Sequence, residues 1–137
     1  MKITLFVLSA ILFAFCGCTS SYTVKNRALV LAAENLDTEL QALAKQSFVD
    51  IEQQKDTANF MKKNSRVDIS NVDVKGDEAT AELVVKTPAK KVYAELVAIS
   101  GKDWQAKVDS SMEIKRYSLN LKKIGGTWKI VDQKEIK

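Results

Sequence analysis

Near Ser65 the hydrophobic period of this 137-residue chain changes from about 3.6 to two, which divides it into a helical half and a sheet half. Upstream, Leu29, Ala32, Ala33, Leu36, Leu40, Leu43, Ala44, Phe48 and Ile51 recur at steps of mostly three and four. The surrounding residues are mostly good helix formers, and no Pro or Gly interrupts them. A run from Val24 to about Lys63 is long for one globular helix, so at least one break is expected. Asn35 or Asp37 is placed to cap a restart, and Asp56-Thr57 to open a final short helix carrying Phe60 and Met61. Asn64-Ser65 ends the run. Leu29, Leu36 and Leu43 have heptad spacing, but for fewer than three heptads, so they read as a core-facing stripe rather than a coiled coil.

Downstream the alternation is that of strands. Val67 and Ile69 share one phase and Val72 and Val74 the other, so a bulge is expected near Ser70-Asn71. Lys75-Gly76-Asp77 is a turn signal, after which Ala79, Ala81, Leu83 and Val85 alternate with polar residues; together this predicts a hairpin. Residues 89–99, after Thr87-Pro88, fit two readings. One is a helix with Val92, Leu96 and Ile99 inward; the other is a strand with Val92, Ala94, Leu96 and Ala98 on one face. The sheet-like flanks favour the strand. Lys102 to Ser110 reads as a polar connection containing Trp104. Met112 and Ile114 alternate, the phase slips at Lys115-Arg116, and Tyr117, Leu119 and Leu121 continue. Gly125-Gly126 suits a two-residue hairpin turn. The last strand puts Trp128 and Ile130 on one face, with Lys129 and Val131 on the other.

The first residues carry a different message. Lys2, an apolar run from Ile3 to Phe15, then Gly17 and Cys18 resemble a bacterial lipoprotein signal peptide, cut before a cysteine that then carries lipid. The apolar run is shorter than the roughly 20 residues of a membrane-spanning helix. Phe15 stands at −3, where such signals prefer Leu. Cys16 is the poorer acceptor, because the large Phe15 would precede the cut. The competing readings are a plain secretory signal and an uncleaved anchor. The expected organisation is a signal peptide at 1–17, a lipidated Cys18 and short tether at 18–23, and a single domain at 24–137. Six tether residues span at most about 20 Å, so the domain is expected close to the membrane. Lipid on Cys18 is the one expected attached group; after cleavage the chain keeps no free thiol and forms no internal disulfide. By the enteric-type sorting rule that the resemblance implies, Thr19 in place of Asp directs the protein to the outer membrane, facing the periplasm.

Formal net charge is only +4, and no basic-aromatic cluster points to nucleic acid. Charge is nevertheless unevenly spread: Val67 to Val85 is acidic and Ser111 to Lys137 is basic. Two readings follow. Complementary strands pair within one sheet, or a basic face of Lys122, Lys123 and Lys129 rests on anionic lipid or cell-wall polymer.

The chain has no histidine. That removes the commonest general base and the usual metal ligand. No nucleophile elbow or phosphate-binding glycine loop occurs. Asp73, Asp77 and Glu78 flank Gly76 but lack the alternating ligands of a calcium loop. No enzyme, metal or cofactor is expected. Trp128 reads as core. Trp104, in a polar stretch, reads either as a contact residue or as a cap on the core's edge.

Helices first, then an antiparallel sheet closed by Leu119-x-Leu121-Lys122-Lys123-x-Gly125-Gly126-Thr127-Trp128-Lys129-Ile130: this order is similar to the cystatin-like and nuclear transport factor 2-like α+β cone. It looks most like small bacterial lipoproteins of uncharacterised function built on that fold. The resemblance covers roughly Val24 to Glu135 and implies helices packed on a curved antiparallel meander. It also implies a concave face that holds a small apolar ligand or a protein partner, with no catalytic residues. On this chain that face would include Leu83, Val85, Trp104, Tyr117, Leu119 and Trp128. The leading expectation is a non-enzymatic envelope lipoprotein that contacts a protein partner or supports the envelope. The alternatives are a carrier of an apolar ligand and an adaptor using the basic face.

Overall fold

The computed structural model describes residues 20–137. The signal segment and Cys18 lie outside the described residues. The architecture is α+β: helices packed on one face of a four-stranded antiparallel meander, in sequential order and not closed into a barrel. The strands are β1 (Arg66–Lys75), β2 (Glu78–Pro88), β3 (Met112–Ile124) and β4 (Thr127–Ile136). Before them come α1 (Ser20–Ser47) and α2 (Ile51–Lys63). Between β2 and β3 lie α3 (Val92–Val97), a 3₁₀ turn (Gly101–Asp103) and α4 (Trp104–Asp109).

Helix α1 is continuous over 28 residues, or about 42 Å. No restart occurs at Asn35 or Asp37; with no Pro or Gly present, nothing forces one there. Ser20 to Thr23, expected as tether, are its first residues, and Val24 is fully buried. The expected break falls instead at Val49-Asp50. Asp50 is in extended conformation, and its carboxylate accepts from the Gln53 amide at 2.9 Å, so α2 starts at Ile51 and not at Asp56-Thr57. Asn64 caps its far end.

The buried residues of α1 are Val24, Ala28, Ala32, Leu40, Ala44 and Phe48, a step of four with Leu36 filling the gap at half burial. Four residues turn a helix by one full circle plus about 40°. The buried stripe therefore winds around α1. Its first half faces the sheet: Val24, Ala28 and Ala32 pack with Ile69, Ala79, Ala81, Leu83, Leu119, Leu121 and Trp128. Its second half faces the other helices: Leu40, Ala44 and Phe48 pack with Met61, Val92, Tyr93, Leu96 and Val108. The molecule has two apolar cores joined along one helix.

The predicted bulge in β1 is present. Pairing with β2 shifts between Ser70 and Asp73, and Asn71 turns to φ 51°. Gly76 sits at φ 63° in the first hairpin turn, and Gly125 and Gly126 at 59° and 79° in the second. Two successive positive φ angles make a type I′ turn, matched to the right-handed twist of its strands.

Three expectations fail. Residues 92–97 are helix, not strand: Val92, Tyr93 and Leu96 all point into the second core, which one face of a strand would not allow. Lys102 to Ser110 is not open connection but the 3₁₀ turn and α4, which buries Val108. No slip occurs at Lys115-Arg116, since β2 and β3 stay in register from Glu78↔Lys122 to Pro88↔Met112. Glu113 and Lys115 share the helix-facing side with Tyr117, Leu119 and Leu121, and Ile114 is on the solvent side. The irregularity in β3 pairing lies on its other edge, between Asn120 and Leu121, opposite Val131.

Candidate functional site

The six residues expected to form one concave face are split between the two cores. Leu83 lies opposite Tyr117 and Val85 opposite Lys115, while Leu119 is two pairs further along, opposite Ala81, and Trp128 further still. Leu83, Leu119 and Trp128 are buried beneath the first half of α1 and closed to a ligand. Val85 and Tyr117 remain half-buried. Trp104 belongs to the second core. It lies 5.5 Å from Phe60 and 6.2 Å from Phe48 between ring centroids, and its indole N–H donates to the Leu96 carbonyl at 3.1 Å. Trp104 thus caps the edge of that core, while its N–H fastens α4 to α3.

A groove is left where α1 passes from one core to the other. Leu36, Leu40 and Leu43 form its helical wall, with Leu83, Val85 and Tyr117 as its floor. The mouth is charged: Glu39, Lys90, Glu113 and Lys115, with Lys90 Nζ 3.2 Å from Glu39 Oε1. Sequence reasoning missed this rim. Its signal was the parity of Glu113 and Lys115, which matches Tyr117 and Leu119 and places charge on the helix-facing side. The groove's volume is about 90 Å³, room for about three waters against the roughly 300–1,000 Å³ of ligand pockets.

In the second core, Tyr93 is buried and its hydroxyl has no hydrogen-bond partner. Burial, and secondarily Glu39, push its ionisation well above the ordinary tyrosine range. It is held neutral, which suits a packing residue rather than a base.

The three lysines of the expected basic face are also separated. Lys122 and Lys129 are directly opposite each other on the solvent side of the sheet. Lys123 pairs with Trp128, on the helix-facing side at the hairpin tip. Lys122 reaches Glu78 at 3.9 Å across the strands, and Lys75 pairs with Asp73 at 3.4 Å, so the acidic and basic segments do meet within one sheet. Among the described residues no group of three or more acidic or cysteine side chains is placed to hold a metal, and no helix is long and apolar enough to cross a membrane.

Two ends of the molecule differ. At one, Val49 is 98% exposed and Ile51 68%, with Val97 and Ile99 also open to solvent beside the Phe48–Trp104 contact. At the other, the start of α1 packs on the strands just below the two hairpin tips, which are tied together by the Lys123 amide donating to the Asp77 carbonyl at 2.8 Å. Comparison of the chain with protein-family models, with curated proteins and with solved structures finds no match.

Proposed function

We propose that the chain is a lipid-anchored protein of the bacterial envelope, non-enzymatic, whose α+β domain meets a protein partner. The observation that carries this reading is the Gly17-Cys18 signal pattern, which stands two residues before the first described residue of α1. The helix starts at Ser20, and Val24 is already in the core. Lipid on Cys18 would therefore be coupled to a folded body with almost no slack. The exposed Val49, Ile51, Val97 and Ile99 lie at the far end of α1, where a partner has access. The groove between α1 and the sheet, at about 90 Å³, is too small for an apolar ligand of ordinary size.

The test is the fate of Cys18. The full-length chain, expressed in a bacterium that processes lipoproteins, should fractionate with membranes. Its mature N-terminal peptide should start at Cys18 and carry the mass of attached acyl chains. The Cys18→Ser variant should remain unacylated. An unmodified Cys18 in the wild-type chain would sink the proposal.

A further inference from the structure

We infer that the end of the domain nearest Cys18 is a docking surface for an anionic bilayer, made of the two hairpin tips and the start of α1. The inference rests on the anchoring reading and adds to it a surface and an orientation. Two residues of chain, Cys18 to Ser20, span at most about 7 Å. A lipid on Cys18 therefore brings the start of α1 to the headgroups, and what lies beside that start must meet them too.

What lies beside it suits a charged interface. The outermost rung of the sheet runs Lys75, Glu78, Lys122, Lys129 across the four strands. Beyond it the tips add Asp77 and Lys123, while Lys25 on α1 lies further back, beside Ser70, Asn71 and Val72 of the β1 bulge. Lys75 pairs with Asp73 and Lys122 reaches Glu78, while Lys123 and Lys129 have no ion pair among the described residues and carry the charge left over at the tips. The next rung inward on the solvent face, Asp73, Thr80, Asn120 and Asp132, carries no cation, and cations resume beyond it with Lys134 and Arg116. Two exposed apolar side chains lie at this end: Ile124 at the tip of the second hairpin, 46% exposed, and Tyr22 on α1 beside the β1 bulge, 72% exposed. An aromatic with a polar hydroxyl and an aliphatic tip side chain suit the headgroup layer, where lysines meet anionic phosphate. Docked this way, the tips rest on the bilayer and α1 points away from it. Val49 and Ile51 then stand about 40 Å out, the length of α1.

The experiment uses the full, processed chain in vesicles of phosphatidylglycerol and phosphatidylethanolamine, with phosphatidylcholine vesicles for comparison. Because Cys16 leaves with the signal and Cys18 is acylated, an introduced cysteine takes a nitroxide label alone. Power saturation should place the label of Ile124→Cys at headgroup depth in anionic vesicles, and that of Val49→Cys in bulk water. Lys123→Gln with Lys129→Gln should shift the docked population of the Ile124→Cys label by about 25-fold, at roughly fivefold per charge. A label at 124 that stays in bulk water in anionic vesicles overturns the docking surface; so does one at the same depth whatever the lipid charge. Mass spectrometry of the same sample separates the two claims. Acylated protein with a free tip defeats the surface alone, whereas protein without acyl chains defeats the anchoring reading and the surface with it.

Discussion

Among the described residues, Tyr93 and Thr57 hold the two buried hydroxyls that find no partner. A buried hydroxyl without a hydrogen bond loses its hydration and gains nothing in return. Tyr93→Phe keeps the ring and removes the orphan, so urea unfolding at pH 7 should show a variant at least as stable as wild type, by up to about 1 kcal/mol. A loss beyond 1 kcal/mol would mean that the hydroxyl is satisfied. The raised ionisation adds a pH signature. The neutral form is favoured in the folded state, so its stabilisation is complete below pH 10, the unfolded tyrosine value, and drains away as pH rises above it. Wild type should therefore lose stability above pH 10 faster than Tyr93→Phe, in which only the other titrating groups remain.

At the scale of elements, the corner between α1 and α2 is held by two side chains. Asp50 caps α2 through the Gln53 amide, and the Gln54 side chain donates to the Phe48 carbonyl at 2.8 Å across the same corner. Asp50→Ala should cost about 1 kcal/mol by denaturant titration, with Asp50→Asn recovering most of it. At the second hairpin, Gly126→Ala at φ 79° should cost about 1–2 kcal/mol. The β1 bulge, both glycine turns and the end of α2 were legible, because each leaves a local mark: a phase change, a Gly pair, an Asn-Ser stop. The helix at 92–97 was not. Over six residues Val92, Leu96 and their neighbours satisfy both periods, and only the packing of Tyr93 decides. The false slip at Lys115-Arg116 has a related cause. Sequence reasoning assumes that the inward face is apolar, and beside the groove it carries Glu113 and Lys115. The candidate site was misread for the same reason: its rim is the part of the inner face that breaks the hydrophobic rule. Trp104, placed in a polar stretch, gave no sign that Phe48 and Phe60 were waiting for it.

At the scale of the whole molecule, the two cores share α1 and little else, and each contains one tryptophan: Trp128 under the sheet half and Trp104 beside the helical half. The stripe that winds around α1 couples them. When one core opens, α1 loses one buried face and half its reason to be helical, since a helix in water depends on tertiary packing more than on propensity. Unfolding followed in Trp104→Phe, which reports on the sheet core, and in Trp128→Phe, which reports on the helical core, should therefore give broad agreement with far-UV ellipticity in each variant. That would be one cooperative transition. Glu34 is the place to break the coupling, being exposed and lying between Ala32 of the first core and Leu36 and Leu40 of the second. A proline there removes a helical hydrogen bond and clashes with the preceding turn, at about 3 kcal/mol or more. Glu34→Pro should shift the helical core's transition below that of the sheet core, so that the two probes separate. Glu34→Gly, costing only about 1 kcal/mol, should lower both midpoints together. Separate transitions in the wild-type background would show that α1 does not bind the two halves into one unit, and that the far end, with Val49 and Ile51, opens independently of the end nearest Cys18.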